Sequence, residues 1–154
     1  MSGVRLKVLD FGLAKLTLPV GAESRRLTVA GSVMGTLAYM APEQLSGQTV
    51  DERADIFSLG VTVVEAILGR NPFRAGDSTR IVAAILHEPV SLPGEEPEVR
   101  ALDAALQKCL AKDRQGRFMT VADMQRDLIP ALRACPPLAA AGPPDPEAAT
   151  ATRG

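Results

Sequence analysis

The chain has 154 residues, 46% of them hydrophobic and 23% charged, which is apolar content for one ordinary core, so one domain plus a tail is expected. Lys and Arg number 17 against 18 Asp and Glu; a formal net charge of -1 excludes the basic footprint of a nucleic-acid or anionic-membrane binder. Cys109 and Cys135 are too few for a disulfide framework and read as free thiols in a reducing, cytoplasmic setting, and no apolar run has the length of a membrane span or a secretory signal.

Val4, Leu6 and Val8 alternate with Arg5 and Lys7, the period of a strand with one buried face, and the strand runs into Asp10-Phe11-Gly12. From Leu18 to Met34 the mixture of Pro, Gly, Ser, Thr and paired arginines shows no sustained period and predicts a long exposed loop. Pro42 and Glu43 suit the first turn of a short helix, since proline lacks the donor that position leaves unpaired and glutamate complements the positive end; Gly47 should stop it. Ala54 to Leu68 is apolar on all sides, which predicts a centrally buried helix with Asp55 near its start and Gly69 just past its end.

After the turn Gly69-Arg70-Asn71-Pro72, Asp77 is the expected N-cap of a helix that buries Ile81, Val82, Ile85 and Leu86. Val99, Leu102, Leu106, Cys109 and Leu110 mark the next. A last helix should open at Thr120, with Asp123 in a weakened capping box, and bury Val121, Met124, Leu128 and Leu132. From Cys135 onward, prolines and small residues offer too little burial to offset ordering entropy, so a disordered tail or linker is expected. His87, the only histidine, sits at a helix end, where it complements the negative dipole.

KVLDFGLAKL followed by GTLAYMAPEQL, and then by DIFSLG, GRNPF and KDRQGRF, closely resembles the run of landmarks from the activation segment through the helical lobe of serine/threonine protein kinases, particularly bacterial ones. The resemblance covers roughly Val4 to Leu132. It implies a mainly α fold, the helical C-terminal lobe of an α+β parent, with a short β-strand at the N-terminus. Residues 1–133 would be a partial kinase domain and residues 134–154 the tail.

By the same resemblance, Asp10 would hold magnesium against the nucleotide phosphates, Phe11 would pack, and Gly12 would supply a permissive backbone. Thr36 would support the catalytic loop and shape the substrate pocket. Thr28 and Ser32 are the implied phosphorylation sites, Thr28 the stronger. Glu43 and Arg117 look like the ion pair that ties the segment to the lobe, and Asp55 like the aspartate that takes backbone donors from the catalytic loop.

Kinase chemistry also needs a glycine-rich loop, a strand lysine paired with a helix glutamate, and a catalytic loop with its base. None of these patterns occurs within the 154 residues. The expectation is therefore a partial kinase domain, inactive as given. ATP and magnesium belong to the intact parent and would not bind this chain tightly alone; the partners are a protein substrate or the absent N-terminal lobe, with no nucleic acid and no membrane segment. A non-catalytic, pseudokinase-like binding module is the alternative.

Overall fold

The computed structural model describes residues 36–74 and 76–138. Among these the regular elements are helices: α1 (Pro42–Leu45), α2 (Arg53–Leu68), α3 (Ser78–His87), α4 (Pro97–Cys109), a 3₁₀ turn (Arg114–Gly116) and α5 (Val121–Ala134). Helix α4 lies between α2 and α5, while α1 meets α3. The strand expected at Val4–Val8 lies outside the described residues.

Each helix end follows from its local chemistry. In α1, Pro42 occupies the first turn and the Gln44 side chain reaches back to accept from the Ala41 amide at 2.8 Å. Gly47, at φ 64°, then turns the chain so that the Gln48 amide closes on the Glu43 carbonyl at 2.9 Å. Asp77 caps α3 by accepting from the Arg80 amide at 2.9 Å, and Thr120 caps α5 by accepting from the Asp123 amide at 3.1 Å. Gly69 ends α2 in the left-handed region, φ 71°, as its position predicts.

Helix α2 departs from expectation in two respects. It starts one residue early, at Arg53, whose amide is taken by the Asp51 carboxylate at 3.0 Å; Glu52 is the N-cap without a capping side-chain bond, and Asp55 lies in the first turn. It is also not buried all round: Ile56, Phe57, Gly60, Val61, Val64 and Leu68 face the core, while Asp55, Leu59, Thr62 and Ala66 form an exposed stripe along the opposite side. Leu59 is 41% exposed.

The core centres on the stacked rings of Phe57 and Phe73, 5.9 Å apart and 7° from parallel. Ile81 and Ile85 of α3, Val99, Leu102, Leu106 and Cys109 of α4, and Met124 and Leu128 of α5 complete it. Val82 and Leu86 reach only half burial. In α5 the expectation for Val121 and Leu132 fails: they are 41% and 37% exposed. The surface of α4 covers only the narrow stripe through Met124, Leu128 and Ala131, and Val121 and Leu132 lie to one side of it. Past α5, Cys135 and Leu138 still pack against the core, so chain assigned to the tail continues the fold for a few residues.

Candidate functional site

The residues with the best-determined chemistry gather where α1 meets the segment after α4. Pro42 fixes the first turn of α1 and points Glu43 inward; the 3₁₀ turn, whose Asp113 carboxylate accepts from the Gln115 amide at 2.9 Å, delivers Arg117 to the same place. Their side chains are 3% and 0% exposed. Arg117 engages both carboxylate oxygens of Glu43, Nη1 to Oε1 at 2.7 Å and Nη2 to Oε2 at 2.8 Å. The remaining guanidinium donors go to the carbonyls of Ala111 at 2.8 Å, Arg53 at 3.0 Å and Lys112 at 3.4 Å. The guanidinium also stands 4.9 Å from the Phe57 ring centroid. A fork with every donor used and an ion pair removed from water is the geometry in which a buried pair holds two segments in one register.

A second tether holds the segment just before α1. The Tyr39 carbonyl accepts from Ser58 Oγ at 2.8 Å, and the Tyr39 hydroxyl donates to the Glu65 carboxylate. Ser58 and Glu65 stand two turns apart on one face of α2, so that face grips a single residue at both its backbone and its side chain. Buried Asn71 donates to Glu65 Oε2 at 3.4 Å while its own Oδ1 accepts from the Phe73 amide at 2.9 Å. The bond to Glu65, followed by burial, holds the Tyr39 hydroxyl above its usual pKa of 10.0.

Of the residues singled out from the sequence, Glu43 and Arg117 are brought together. Thr36 is exposed at the first described position, its carbonyl accepting from the Tyr39 amide at 3.2 Å. Asp55 is exposed in the first turn of α2, and His87 is exposed at the end of α3. Asp10, Phe11, Gly12, Thr28 and Ser32 lie outside the described residues. Sequence reasoning missed Tyr39, Ser58, Glu65 and Asn71. The signal for Asn71 was present, since an asparagine in a Gly-Arg-Asn-Pro turn is placed to bond the backbone two residues on. Glu65 carried no comparable signal. Among the described residues no group of three His, Cys, Asp or Glu side chains is placed to hold a metal ion.

A helical lobe bound to an Ala-Pro-Glu segment through a buried, bidentate Glu43–Arg117 pair places the chain in a family: the Protein kinase domain model matches residues 1–128, and the chain belongs to the protein kinase family. Its fold is that of the helical C-terminal lobe. More particularly, it is similar to bacterial serine/threonine kinases. It is 39% identical to the serine/threonine-protein kinase PknB of Mycolicibacterium smegmatis over 127 residues, 80% of this chain and 20% of that protein. It is 34% identical over 142 residues to a probable PknB of Bifidobacterium longum, 88% of this chain and 20% of the relative. To PknD of Mycobacterium tuberculosis it is 37% identical over 120 residues, 76% of this chain and 17% of the relative. The chain thus spans about a fifth of the length of the relatives it matches. The family implies ATP and magnesium as cofactors of an intact enzyme. Among the described residues no helix is long and apolar enough to cross a membrane.

Proposed function

We propose that residues 1–133 form the C-terminal part of a cytoplasmic serine/threonine protein kinase domain, and that residues 134–154 are a linker. In the intact kinase the reaction moves the γ-phosphoryl group of ATP to a serine or threonine hydroxyl of a protein substrate. The observation that carries this reading is the Glu43–Arg117 fork, which fixes the segment containing Thr36 and Tyr39 against the lobe, where a protein substrate would lie. Asp10 is assigned to the metal-bound nucleotide, Thr36 to the substrate pocket, and Thr28 and Ser32 to regulatory phosphorylation. The exposed stripe of α2 headed by Asp55 suits the surface on which a catalytic loop would rest.

Phosphoryl transfer depends almost wholly on positioning and charge stabilisation, and one metal-holding carboxylate supplies little of either. The 154-residue chain assayed alone with ATP and magnesium should therefore transfer no phosphate. A chimera tests the reading: residues 4–132 replace the matching part of the M. smegmatis relative's kinase domain. The chimera should phosphorylate a generic basic protein, and Asp10→Asn should abolish that. A folded chimera without activity would refute the assignment.

A further inference from the structure

Two of the carbonyls that hold Arg117 belong to the segment that carries Lys112. Arg117 Nε donates to the Ala111 carbonyl at 2.8 Å, and Nη2 donates to that of Lys112 itself at 3.4 Å. The Lys112 side chain turns inward, with Nζ 4.6 Å from the Phe73 centroid and 5.9 Å from that of Phe57. The Arg117 guanidinium lies 4.9 Å from the same Phe57 ring. Two cations thus share one pair of stacked rings, and the buried carboxylate beside them, Glu43, gives both its oxygens to Arg117. Lys112 Nζ is the buried side-chain nitrogen or oxygen without a hydrogen-bond partner among the described residues. An aromatic face attracts an ammonium but replaces none of the three hydrogen bonds it makes in water.

Helix α1 keeps that water away. Pro42 and Glu43 form one wall of a cavity of about 360 Å³ that Lys112 also lines, with the end of α3 and residues 113–114. Lifting α1 breaks the Glu43–Arg117 fork and strips the cover from Lys112 in one movement. Among the surrounding charges, Arg117 opposes the ammonium and Glu88, just past α3, favours it. Glu43 of α1, His87 of α3 and the neighbours Asp113 and Arg114 line the cavity, but none of them bonds to Nζ. Burial first, and Arg117 second, lower the Lys112 pKa from 10.5 to about 8.

We propose that Lys112 is a proton-sensitive latch on the Glu43–Arg117 anchor: release of α1 lets the amine take up water and a proton, and loss of that proton holds α1 down. The latch rests on the fold alone and not on the kinase reading. Its sign follows from linkage. Lys112 titrates at about 8 with α1 docked and returns toward 10.5 with α1 released, so the released form binds more protons between those values. Opening of α1 should be insensitive to pH below about 8 and fall about fivefold from pH 8 to pH 9.

The test is amide hydrogen exchange of the 154-residue chain across this range, corrected for intrinsic base catalysis. The amides of Leu45, Ser46 and Gln48, bonded to the carbonyls of Ala41, Pro42 and Glu43, report opening of α1. Those of Gly69 and Met124, bonded to Glu65 and Thr120, report the rest of the fold. The fivefold fall should appear in the first group and not in the second. In Lys112→Met, which carries no proton to lose, opening of α1 should be rarer and the same at every pH, while His87→Gln should keep the wild-type dependence. A titration of the lysine ¹³Cε resonances gives a second reading, in which Lys112 should have its midpoint near 8. The proposal is overturned by α1 protection that ignores pH, by a change shared equally with Gly69 and Met124, by a dependence that survives Lys112→Met or vanishes in His87→Gln, or by a Lys112 midpoint at the ordinary 10.5.

Discussion

Replacing Arg117 by alanine strands the Glu43 carboxylate, 3% exposed, with neither of its two guanidinium bonds, and frees the carbonyls of Ala111 and Arg53 from their donors. Breaking one side of a buried ion pair costs about 3–5 kcal/mol. Against a total stability of about 5–15 kcal/mol, that is about a fifth of the whole or more. The folding equilibrium should shift by about two to nearly four powers of ten. Urea denaturation followed by circular dichroism measures it. One further outcome separates a stranded charge from simple loss of packing. The double variant Glu43→Leu/Arg117→Met should recover much of the loss, since replacing both partners leaves no uncompensated ion. An Arg117→Ala deficit within about 1 kcal/mol of wild type, or a double variant worse than the single one, would refute the argument.

Lys112 and Cys109 together shape the alkaline limb of stability. The folded pKa of Lys112, about 8, lies below its model-peptide value of 10.5, so the unfolded chain holds more protons in that window and stability should rise with pH through it. Burial lifts the Cys109 thiol from 9.0 to about 11, so its contribution is present below 9.0 and lost as pH climbs toward 11. Chemical denaturation across this range should show a rise and then a fall, and Lys112→Met should abolish the rise while leaving the fall. Gly60→Ala should destabilise the chain by about 1–3 kcal/mol in a thermal melt despite alanine's better helix propensity, because the added Cβ would stand 2.8 Å from Cys109 Cβ and 3.1 Å from Leu110 Cδ2. A neutral or higher melting point would mean that α2 and α4 pack more loosely than described. Asn71→Ala should cost about 1–3 kcal/mol by orphaning the buried Phe73 amide, and unchanged stability would contradict that bond.

Local chemistry was written in the sequence. Asp77 and Thr120 cap their helices, Gly69 ends α2, and Pro42 opens α1, because each outcome depends on a few neighbouring atoms and a fixed backbone preference. The Glu43–Arg117 partnership was legible only through resemblance to a family. No periodicity relates residues so far apart, and it is the fold that removes both from water and supplies the three carbonyls around the guanidinium.

Burial is where sequence reading fell short. The apolar composition of α2 could not say that the stripe through Leu59 and Ala66 lies uncovered, nor that α4 is too narrow to cover Val121 and Leu132, because exposure depends on the neighbour's surface as much as on the residue. The orphaned ammonium of Lys112 was equally invisible: lysine in a charged stretch reads as solvated, and only tertiary packing turns it onto two aromatic rings beside another cation. The sequence by itself determined the caps at Asp77 and Thr120, the stop at Gly69 and the family they serve. The tertiary structure decided which charges are buried, since burial is a property of surfaces that meet and not of the residues that carry them.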